Sequence, residues 1–386
     1  MPAPMLGPLQ PTVYRFKLGA FEVATILDSK AVRQGLHPNY GGNATVEEVQ
    51  AVARANNLEM QSFEHHNIPS IVNTGRELVL FDAGNGVLPK EYEQLKARMP
   101  LGNTAARLAE LGYKPEDVDV VVLTHGHPDH IGGLVAGGQP VFPNARYVFG
   151  AAEYDFWQKN ENVREARKFN RELFVKICTP LSNRSTYIKP GDSVVPGITA
   201  VDAAGHSPGL LAFQVESEGK RLMITADTLT QYVMAVQKPE WYFDMDDLKD
   251  QAVATRKRFL AMLADERIPF ISFHMPFPGV GYIERNGAGY RWVAHSYQLN
   301  LWIRQNWNTS WPGLSRPSRF GGHRAFRSSV PAVAGTDGLS VPSPRAHRDV
   351  EQRALGDGLG QRRVAARLER GLAELAHDAH QPRPGP

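Results

Sequence analysis

Four side chains with metal-binding chemistry lie within six residues of one another: His125, His127, Asp129 and His130. They occupy the sequence THGHPDHIGG at residues 124–133, directly after the apolar run VDVVVL at residues 118–123. A strand that ends in a tight turn can direct several side chains to one point, and imidazole and carboxylate ligands suit Zn, Mn, Fe or Co better than Mg or Ca. A polar loop whose histidines cap helix ends is the alternative, but it does not account for four potential ligands at a strand end.

Three more candidate ligands follow downstream, each at the end of a predicted strand. His206 lies in the turn GHSPG, Asp227 in TADT after an apolar run, and His274 in FHMP after another. Each of them alone is typical of an ordinary turn. Because the alternate His pair and the adjacent Asp-His pair of the first cluster point differently, that loop can serve two neighbouring metals, and these three residues supply the ligands it lacks.

The order HxHxDH, then His, Asp and His, resembles the metallo-β-lactamase superfamily over about residues 12–305. The resemblance implies an α/β (α+β) fold, a four-layer αβ/βα sandwich with two metals at one edge between the sheets. The implied ligands are His125, His127 and His206 for one metal and Asp129, His130 and His274 for the other, with Asp227 as the bridge. Asp82, in LFDAGNG, would orient a ligand or a loop from behind, and its alternative is a turn-forming Asp before Gly.

Within the superfamily the chain is more similar to methyl parathion hydrolase and to acyl-homoserine-lactone lactonases. The likeness rests on THGHPDHIGGL, on residues 139–157 and 277–292, on VPGI at 195–198, and on the spacing of the downstream ligands. Many of the lactonases carry a Tyr three residues after the bridging Asp, where this chain has Thr230. The single cysteine, Cys178, lies far from every motif in a predicted helix end, so we expect a small buried residue rather than the Cys ligand of many true β-lactamases.

A water shared by two divalent cations loses a proton near neutral pH and becomes a nucleophile without a dedicated base. Asp129 and Asp227, which would hold these cations, are therefore the predicted catalytic residues, and one metal would polarise the substrate oxygen. The predicted cleft wall consists of aromatic and apolar side chains: Phe156, Trp157, Phe169, Met275 and Phe277. Trp157 is the expected contact for the leaving group, and core packing is the alternative for each of the five.

The leading functional hypothesis is hydrolysis of an ester-like bond, as in an aryl phosphotriester such as methyl parathion or a carboxylic ester. A lactonase acting on acyl-homoserine lactones is the first alternative, and a substrate panel separates the two. An iron-containing oxidoreductase of the same fold is an alternative of another class, because these ligands also accept Fe, and the identity of the bound metal tests it. The expected cofactors are two divalent ions per chain, with Zn ahead of Mn, Co or Fe.

Charge and composition argue against several other functions. The formal net charge of +3 conceals a net of +5 in residues 311–386, with twelve Arg against seven acidic residues, and a net of −2 in residues 1–310. The body therefore has no electrostatic support for binding nucleic acid, and no apolar run reaches the length of a membrane span. One cysteine cannot close an internal disulfide, which favours the cytoplasm, or the periplasm if a leader is missing from this sequence. The small ester-like substrate is the expected partner, and the sequence leaves open whether the chain forms a homodimer.

Residues 1–310 alternate predicted strands and helices and form the expected catalytic domain. Strand pairs are predicted at 13–28 and 70–82, a helix at 45–56, and longer helices at 92–111 with a break near Pro100, at 152–176 and at 248–264. Residues 311–386 are rich in Arg, Gly, Pro and Ala and lack Ile, Lys and Tyr, so we expect an irregular, disordered tail. His65 and His66 are interpreted as an exposed loop pair, with a place at the cleft rim as the alternative, and six other histidines, among them His37 and His295, as surface residues.

Overall fold

A computed structural model describes residues 3–87, 100–287, 289–295 and 299–300 of the chain, and two seven-stranded sheets form the centre of this part. Strands and helices are numbered in chain order. The first sheet contains, in spatial order, β1 (Val13–Leu18), β2 (Phe21–Ile26), β5 (Ser70–Asn73), β6 (Leu78–Phe81), β7 (Val120–Leu123), β10 (Arg146–Gly150) and β11 (Ser185–Ile188). Its last four strands run parallel to one another.

The second sheet is largely antiparallel. It contains, in spatial order, β12 (Ser193–Val195), β13 (Ile198–Asp202), β14 (Leu211–Ser217), β15 (Lys220–Ile224), β16 (Phe270–Ile271), β17 (Val280–Asn286) and β18 (Gly289–Ala294). Only β15 and β16 run parallel among its paired strands in the described residues. Two separate ribbons complete the strands, β3 (Ser29–Gln34) with β4 (Ser62–Asn67) and β8 (Val135–Ala136) with β9 (Gln139–Pro140).

Helices cover the outer face of each sheet. They are α1 (Val46–Ala55), α2 (Thr104–Arg107), α3 (Pro128–Ile131), α4 (Ala151–Gln158), α5 (Lys168–Cys178), α6 (Met234–Gln237) and α7 (Lys249–Asp265). Apolar residues of α3, α4 and α5 pack on the first sheet, and those of α1, α6 and α7 pack on the second. No helix in the described part of the chain is both long enough and apolar enough to cross a membrane.

Alternate residues along the strands separate three apolar cores. In β6, Val79 and Phe81 pack in a core built from strand residues of both sheets, whereas Leu78 and Leu80 pack under the helices of the first sheet. Strand β7 divides its side chains in the same way. A strand buried on both faces reads as a continuous apolar run, which explains VVVL in β7. The layers are therefore helix, sheet, sheet and helix, which confirms the predicted αβ/βα sandwich.

Local sequence signals account for several confirmed elements. The strand pairs at 13–28 and 70–82 are present as β1–β2 and β5–β6. Helix α1 begins after Thr45, whose side chain accepts from the backbone N–H of Glu48 while the Glu48 carboxylate accepts from the backbone N–H of Thr45. This reciprocal capping satisfies two backbone donors that a helix start leaves without partners.

One helix prediction and one loop prediction are wrong, and a second helix prediction is tested only in part. The helix expected at 152–176 is two helices, α4 and α5, because the polar stretch Gln-Lys-Asn-Glu-Asn at 158–162 contains poor helix formers. In the helix expected at 92–111, residues 92–99 lie outside the described residues, and the remainder holds only α2 and a short 3-10 turn. His65 and His66, interpreted as an exposed loop pair, lie in β4. The predicted tail at 311–386 lies outside the described residues.

The parallel strands bring their carboxyl ends to one edge of the sandwich. Asp82 follows β6 and His125 follows β7 in the first sheet, while Asp227 follows β15 and His274 follows β16 in the second. A backbone hydrogen bond of 3.0 Å from Leu211 to the Thr124 carbonyl joins the two sheets at this edge. The fold therefore gathers strand-end residues of both sheets in one place.

Candidate metal centre

Seven side chains converge at this edge, and they are the seven predicted ligands. His125 and His127 lie in the turn after β7, Asp129 and His130 in α3, His206 after β13, Asp227 after β15 and His274 after β16. Potential ligand atoms lie within 4.8 Å of one another in three groups, the first two of which share His125: His125 with His127 and His206; His125 with His130 and Asp227; and His65 with Asp129 and His274. The structure thus brings together every side chain that the sequence singled out for metal binding.

Asp227 lies at the centre of the cluster. Its Oδ2 is 3.0 Å from Nε2 of His274, 3.2 Å from Nε2 of His206 and 3.9 Å from Nε2 of His125. Its Oδ1 is 3.3 Å from Nε2 of His130. One carboxylate therefore contacts histidines from both halves of the ligand set.

Two groups of donors lie on either side of Asp227. On one side, Nδ1 of His127 is 3.0 Å from Nε2 of His125 and 3.0 Å from Nε2 of His206. On the other side, Oδ2 of Asp129 is 3.3 Å from Nε2 of His274 and 3.9 Å from Nε2 of His130. These are the two groupings that the resemblance implied, and they share Asp227.

The outward nitrogen of each histidine is held by another group. Four of these contacts involve side chains: His130 Nδ1 donates to Asp82 at 2.9 Å, His206 Nδ1 donates to Asp246 at 3.0 Å, His125 Nδ1 lies 3.1 Å from the Thr124 hydroxyl, and His127 Nε2 lies 3.4 Å from Asp247. The fifth is to backbone, since His274 Nδ1 donates to the carbonyl of His66 at 2.7 Å. A hydrogen bond at one ring nitrogen sets the tautomer and directs the lone pair of the other inward, as in known metal sites.

Asp82 and Asp246 are themselves fixed. Asp82 accepts from both the backbone N–H and the hydroxyl of Thr124, and its φ of 62° places it in the left-handed region. Asp246 accepts from Arg256 at 2.7 Å, and this pair is almost completely buried. Both carboxylates therefore connect a ligand histidine to a rigid part of the fold.

A buried carboxylate, Glu153 of α4, joins two of the ligand loops. It accepts from the backbone N–H of Gly126 at 2.8 Å, from the Ser207 hydroxyl at 2.5 Å, from the backbone N–H of Gly209 at 2.8 Å and from the Trp157 indole at 2.6 Å. Gly126 separates His125 from His127, and Ser207 follows His206. Burial raises the pKa of Glu153, while these donors stabilise its charged form.

Opposite charges are concentrated in the cluster. Burial alone would raise the pKa of Asp227, but His274, His130 and His206 hold it well below its usual range. Burial alone would lower the pKa of His206, but Asp227 and Asp246 raise it to about 9. The pKa of His127 falls to about 4, mainly through burial. The carboxylates thus favour positive charge at the centre, whether from protons or from cations.

The residues fit a divalent metal site. Nε2 of His130 and Oδ1 of Asp227 are buried 3.3 Å from each other, but neither makes a hydrogen bond of good geometry within the described residues. Buried polar atoms without partners are uncommon in folded proteins and call for an explanation such as an ion. Inward-facing imidazole nitrogens and carboxylate oxygens are the donors that zinc and similar ions prefer.

The family follows from a sequence comparison that covers the same residues. A model of the metallo-beta-lactamase superfamily matches residues 69–272, just over half of the chain, and this range includes six of the seven candidate ligands. The chain belongs to the metallo-β-lactamase superfamily. Its homologues and structural neighbours are metal-dependent hydrolases.

Curated relatives of this superfamily member match it over part of their length. An N-acyl homoserine lactonase of Bacillus cereus is 36% identical over 118 residues, which cover 30% of this chain and 40% of that enzyme. A probable metallo-hydrolase of Mycobacterium tuberculosis is 29% identical over 164 residues, which cover 38% of this chain and 51% of that protein. The chain thus spans about half the length of these relatives.

Solved structures are similar over most of the described region. AidC, a dizinc quorum-quenching lactonase in complex with the product N-hexanoyl-L-homoserine, has a TM-score of 0.68 and 26% identity, covering 74% of this chain and 98% of AidC. The hydrolase AbOPH of the beta lactamase superfamily has a TM-score of 0.68 and 23% identity, covering 75% of this chain and 100% of AbOPH, and supports the fold alone.

The predicted cleft residues lie in different surroundings. Trp157 has no exposed surface, stacks edge-on against His127 with ring centroids 5.7 Å apart, and donates to Glu153. Met275 is also buried in a core, that of the second sheet. Phe156, Phe169 and Phe277 are half-buried. The backbone N–H of Phe277 donates to the His66 ring, and the Phe156 ring packs edge-on against Trp157 with centroids 4.9 Å apart.

Several histidine predictions are wrong. His65 and His66 are 6% and 9% exposed in β4 rather than an exposed loop pair, since their strand lies over the metal centre. His295, interpreted as a surface residue, is 5% exposed at the end of β18. Cys178 is buried at the end of α5, which confirms that prediction.

Four residues that position ligands were missed at the sequence level: Glu153, Asp246, Asp247 and Arg256. The only signal for Asp246 and Asp247 is the acidic stretch DMDD at residues 244–247, just before α7. Glu153 lies in an ordinary amphipathic segment, and its role depends on two loops that are distant in sequence, one 27 residues before it and the other 54 residues after it. Sequence spacing reveals ligands that follow strands, but not the residues that hydrogen-bond to those ligands or to their loops and fix their orientation.

Proposed function

We propose that the chain is a dinuclear metal-dependent hydrolase that opens the ester bond of lactones. The position of Asp227 is the observation that supports a dinuclear site. Its two oxygens contact His206 at 3.2 Å, His274 at 3.0 Å and His130 at 3.3 Å, so a single carboxylate is placed to be shared by two ions. Zinc is the proposed metal because the ligand set is nitrogen and oxygen and the AidC structure is named as a dizinc enzyme.

Two divalent ions in this site would acidify a shared water and polarise an ester carbonyl. The chain's own residues would hold and orient those ions. Asp82, Asp246 and the His66 carbonyl fix the rings of His130, His206 and His274, so these ligands need little reorganisation. Preorganised groups of this kind are a major source of transition-state stabilisation.

Asp129 faces the accessible side of the cluster. Its side chain is 20% exposed, while the side chains of Asp227 and His274 are each 3% exposed. An ester approaching the metals would therefore meet this side first. The half-buried ring of Phe277 lies next to this part of the structure through its link to His66 and is the proposed apolar wall for the substrate.

Lactones are the proposed substrates in preference to aryl phosphotriesters, which reverses the order of the two substrate classes expected from the sequence. The support is that curated relatives are named as N-acyl homoserine lactonases and that AidC was solved with an opened lactone product. Thr230 is buried, with 1% of its surface exposed. It stands where many lactonases carry a Tyr, so this chain lacks their phenol hydroxyl at that position.

A substrate panel with purified, metal-defined protein tests the proposal. N-acyl homoserine lactones of short and long acyl chain, methyl parathion and nitrophenyl esters would be compared at equal enzyme and zinc concentrations. We expect kcat/KM to be highest for a lactone and lost in Asp227→Ala. Faster turnover of methyl parathion than of any lactone would contradict the lactonase proposal and assign phosphotriesterase activity. About two iron atoms per chain with no hydrolysis would favour an oxidoreductase.

A further inference from the structure

His65 lies directly against the metal centre on an element that contributes none of the seven ligands. It belongs to β4 of the β3–β4 ribbon, where it pairs with Ala31, and it is 6% exposed. Its ring stacks on that of His274, with centroids 3.9 Å apart and an angle of 30° between the planes. The ribbon thus places a further imidazole beside a ligand of the second group.

The two adjacent histidines of β4 differ in how their ring nitrogens are used. His66 accepts from the backbone N–H of Phe277 at 3.0 Å through Nδ1, and its Nε2 lies 3.4 Å from Glu64. For His65, no hydrogen bond to either ring nitrogen is found within the described residues. Binding of an ion through His65 would therefore break no hydrogen bond of the described residues.

The geometry around His65 is that of a ligand set. A ring nitrogen of His65, a carboxylate oxygen of Asp129 and a ring nitrogen of His274 all lie within 4.8 Å of one another. Bonds of about 2.0–2.1 Å to a common zinc ion would bring such atoms within about 4 Å of each other, so side-chain shifts of less than about 1 Å are sufficient. Asp129 is also more exposed than Asp227, and His65 lies on the same accessible side of the cluster as Asp129.

We propose that His65 is an additional protein ligand of the metal ion held by Asp129 and His274. The inference rests on the proposed metal centre and assigns to it a donor from β4. This ligand would hold the second ion more tightly and leave it fewer positions for water. The competing explanation is packing, in which the His65 ring only supports the ring of His274.

Two variants separate a ligand from a packing residue. His65→Phe keeps an aromatic ring against His274 but removes both nitrogens, whereas His65→Leu removes the ring as well. Phe63→Leu is the matched control, because Phe63 is two residues away on the same face of β4. Zinc-loaded proteins would be dialysed against increasing concentrations of a chelator, with metal per chain measured by elemental analysis and folding checked by circular dichroism.

We expect wild type and Phe63→Leu to retain two zinc ions over the same range of chelator. Both His65 variants should lose one ion at chelator concentrations lower by roughly tenfold or more and keep the other, and their cobalt-loaded forms should show altered visible spectra. Retention of both ions by folded His65→Phe at the wild-type chelator concentration would overturn the inference, and loss only in His65→Leu would assign a packing role.

The same experiment distinguishes this inference from the proposed function. Wild type with two ions and His65→Phe with two equally tight ions would overturn the role of His65 alone. Wild type that binds no zinc, manganese or cobalt would overturn both. Because metal retention is the readout, neither result depends on having found the right substrate.

Discussion

Asp246 joins His206 to Arg256: one of its oxygens accepts from His206 Nδ1 at 3.0 Å and the other accepts from Arg256 at 2.7 Å. Asp246 and Arg256 are almost fully buried, with side chains 1% and 2% exposed. A ligand histidine is thereby tied to α7. The same carboxylate that orients the ligand also compensates a buried cation.

Replacing Asp246 with Ala should destabilise the fold as well as the metal site. It leaves the Arg256 guanidinium buried without a counter-charge, which typically costs about 3–5 kcal/mol of the free energy of unfolding. Urea unfolding in the presence of chelator measures this cost without the contribution of metal. The control is Asp265→Ala, which removes a pair with Arg285 that is more than half exposed, and we expect a far smaller change. Equal effects of the two substitutions would contradict the role given to Asp246.

Asp82→Asn should weaken metal binding while leaving the backbone in place. Asn tolerates the left-handed conformation that Asp82 adopts, with φ of 62°, so the turn after β6 should persist. The amide removes the negative charge opposite His130 Nδ1, and loss of such an orienting partner typically reduces metal affinity by about 10–100-fold. Chelator competition checks this, and an unchanged affinity would show that Asp82 only shapes the turn.

Glu153→Gln should loosen two ligand loops at once. The carboxylate accepts four hydrogen bonds, and an amide would present N–H groups to some of the same donors. Each buried donor left without an acceptor costs about 1–3 kcal/mol. We expect a lower urea midpoint and faster zinc loss. Glu165→Gln, at an exposed position in the turn before α5, is the control and should behave as wild type.

Trp157 and Phe277 should respond differently to substitution. Trp157 is fully buried, and an added Cβ at Gly126 would lie 2.5 Å from its ring, so we expect it to serve packing rather than substrate contact. Trp157→Phe should cost about 1–3 kcal/mol of stability, through loss of the hydrogen bond to Glu153, without raising KM. Phe277→Ala should reduce kcat/KM by roughly tenfold or more with little change in stability. A raised KM in Trp157→Phe at unchanged stability would restore Trp157 as a substrate contact.

Much of this centre could be predicted from sequence because its ligands follow strands. His125 comes two residues after a strand that is apolar on both faces, and Asp227 and His274 each come three residues after another strand. Strand position and residue type together therefore indicated that these side chains converge. The capped start of α1 was equally local. Such short-range signals are sufficient to predict a feature that depends on one strand or one helix alone.

The remaining features depend on contacts that no local pattern encodes. Residues 29–34 and 62–67 pair across a long separation, so β4 and its buried histidines looked like a loop. The hairpin of β17 and β18 was also missed, although Asn286 and Gly287 form a typical hairpin signal. Glu153 is a surface-like acidic residue in the sequence and becomes a buried acceptor only when two loops meet it.

Elemental analysis of the purified chain tests the central claim most directly. We predict about two divalent ions per chain after loading with zinc, and at most one tightly bound ion in Asp227→Ala, because that carboxylate is the group shared by both halves of the cluster. A wild-type chain that remains metal-free in excess zinc, manganese or cobalt, or an Asp227→Ala variant that holds both ions as tightly as wild type, would contradict it.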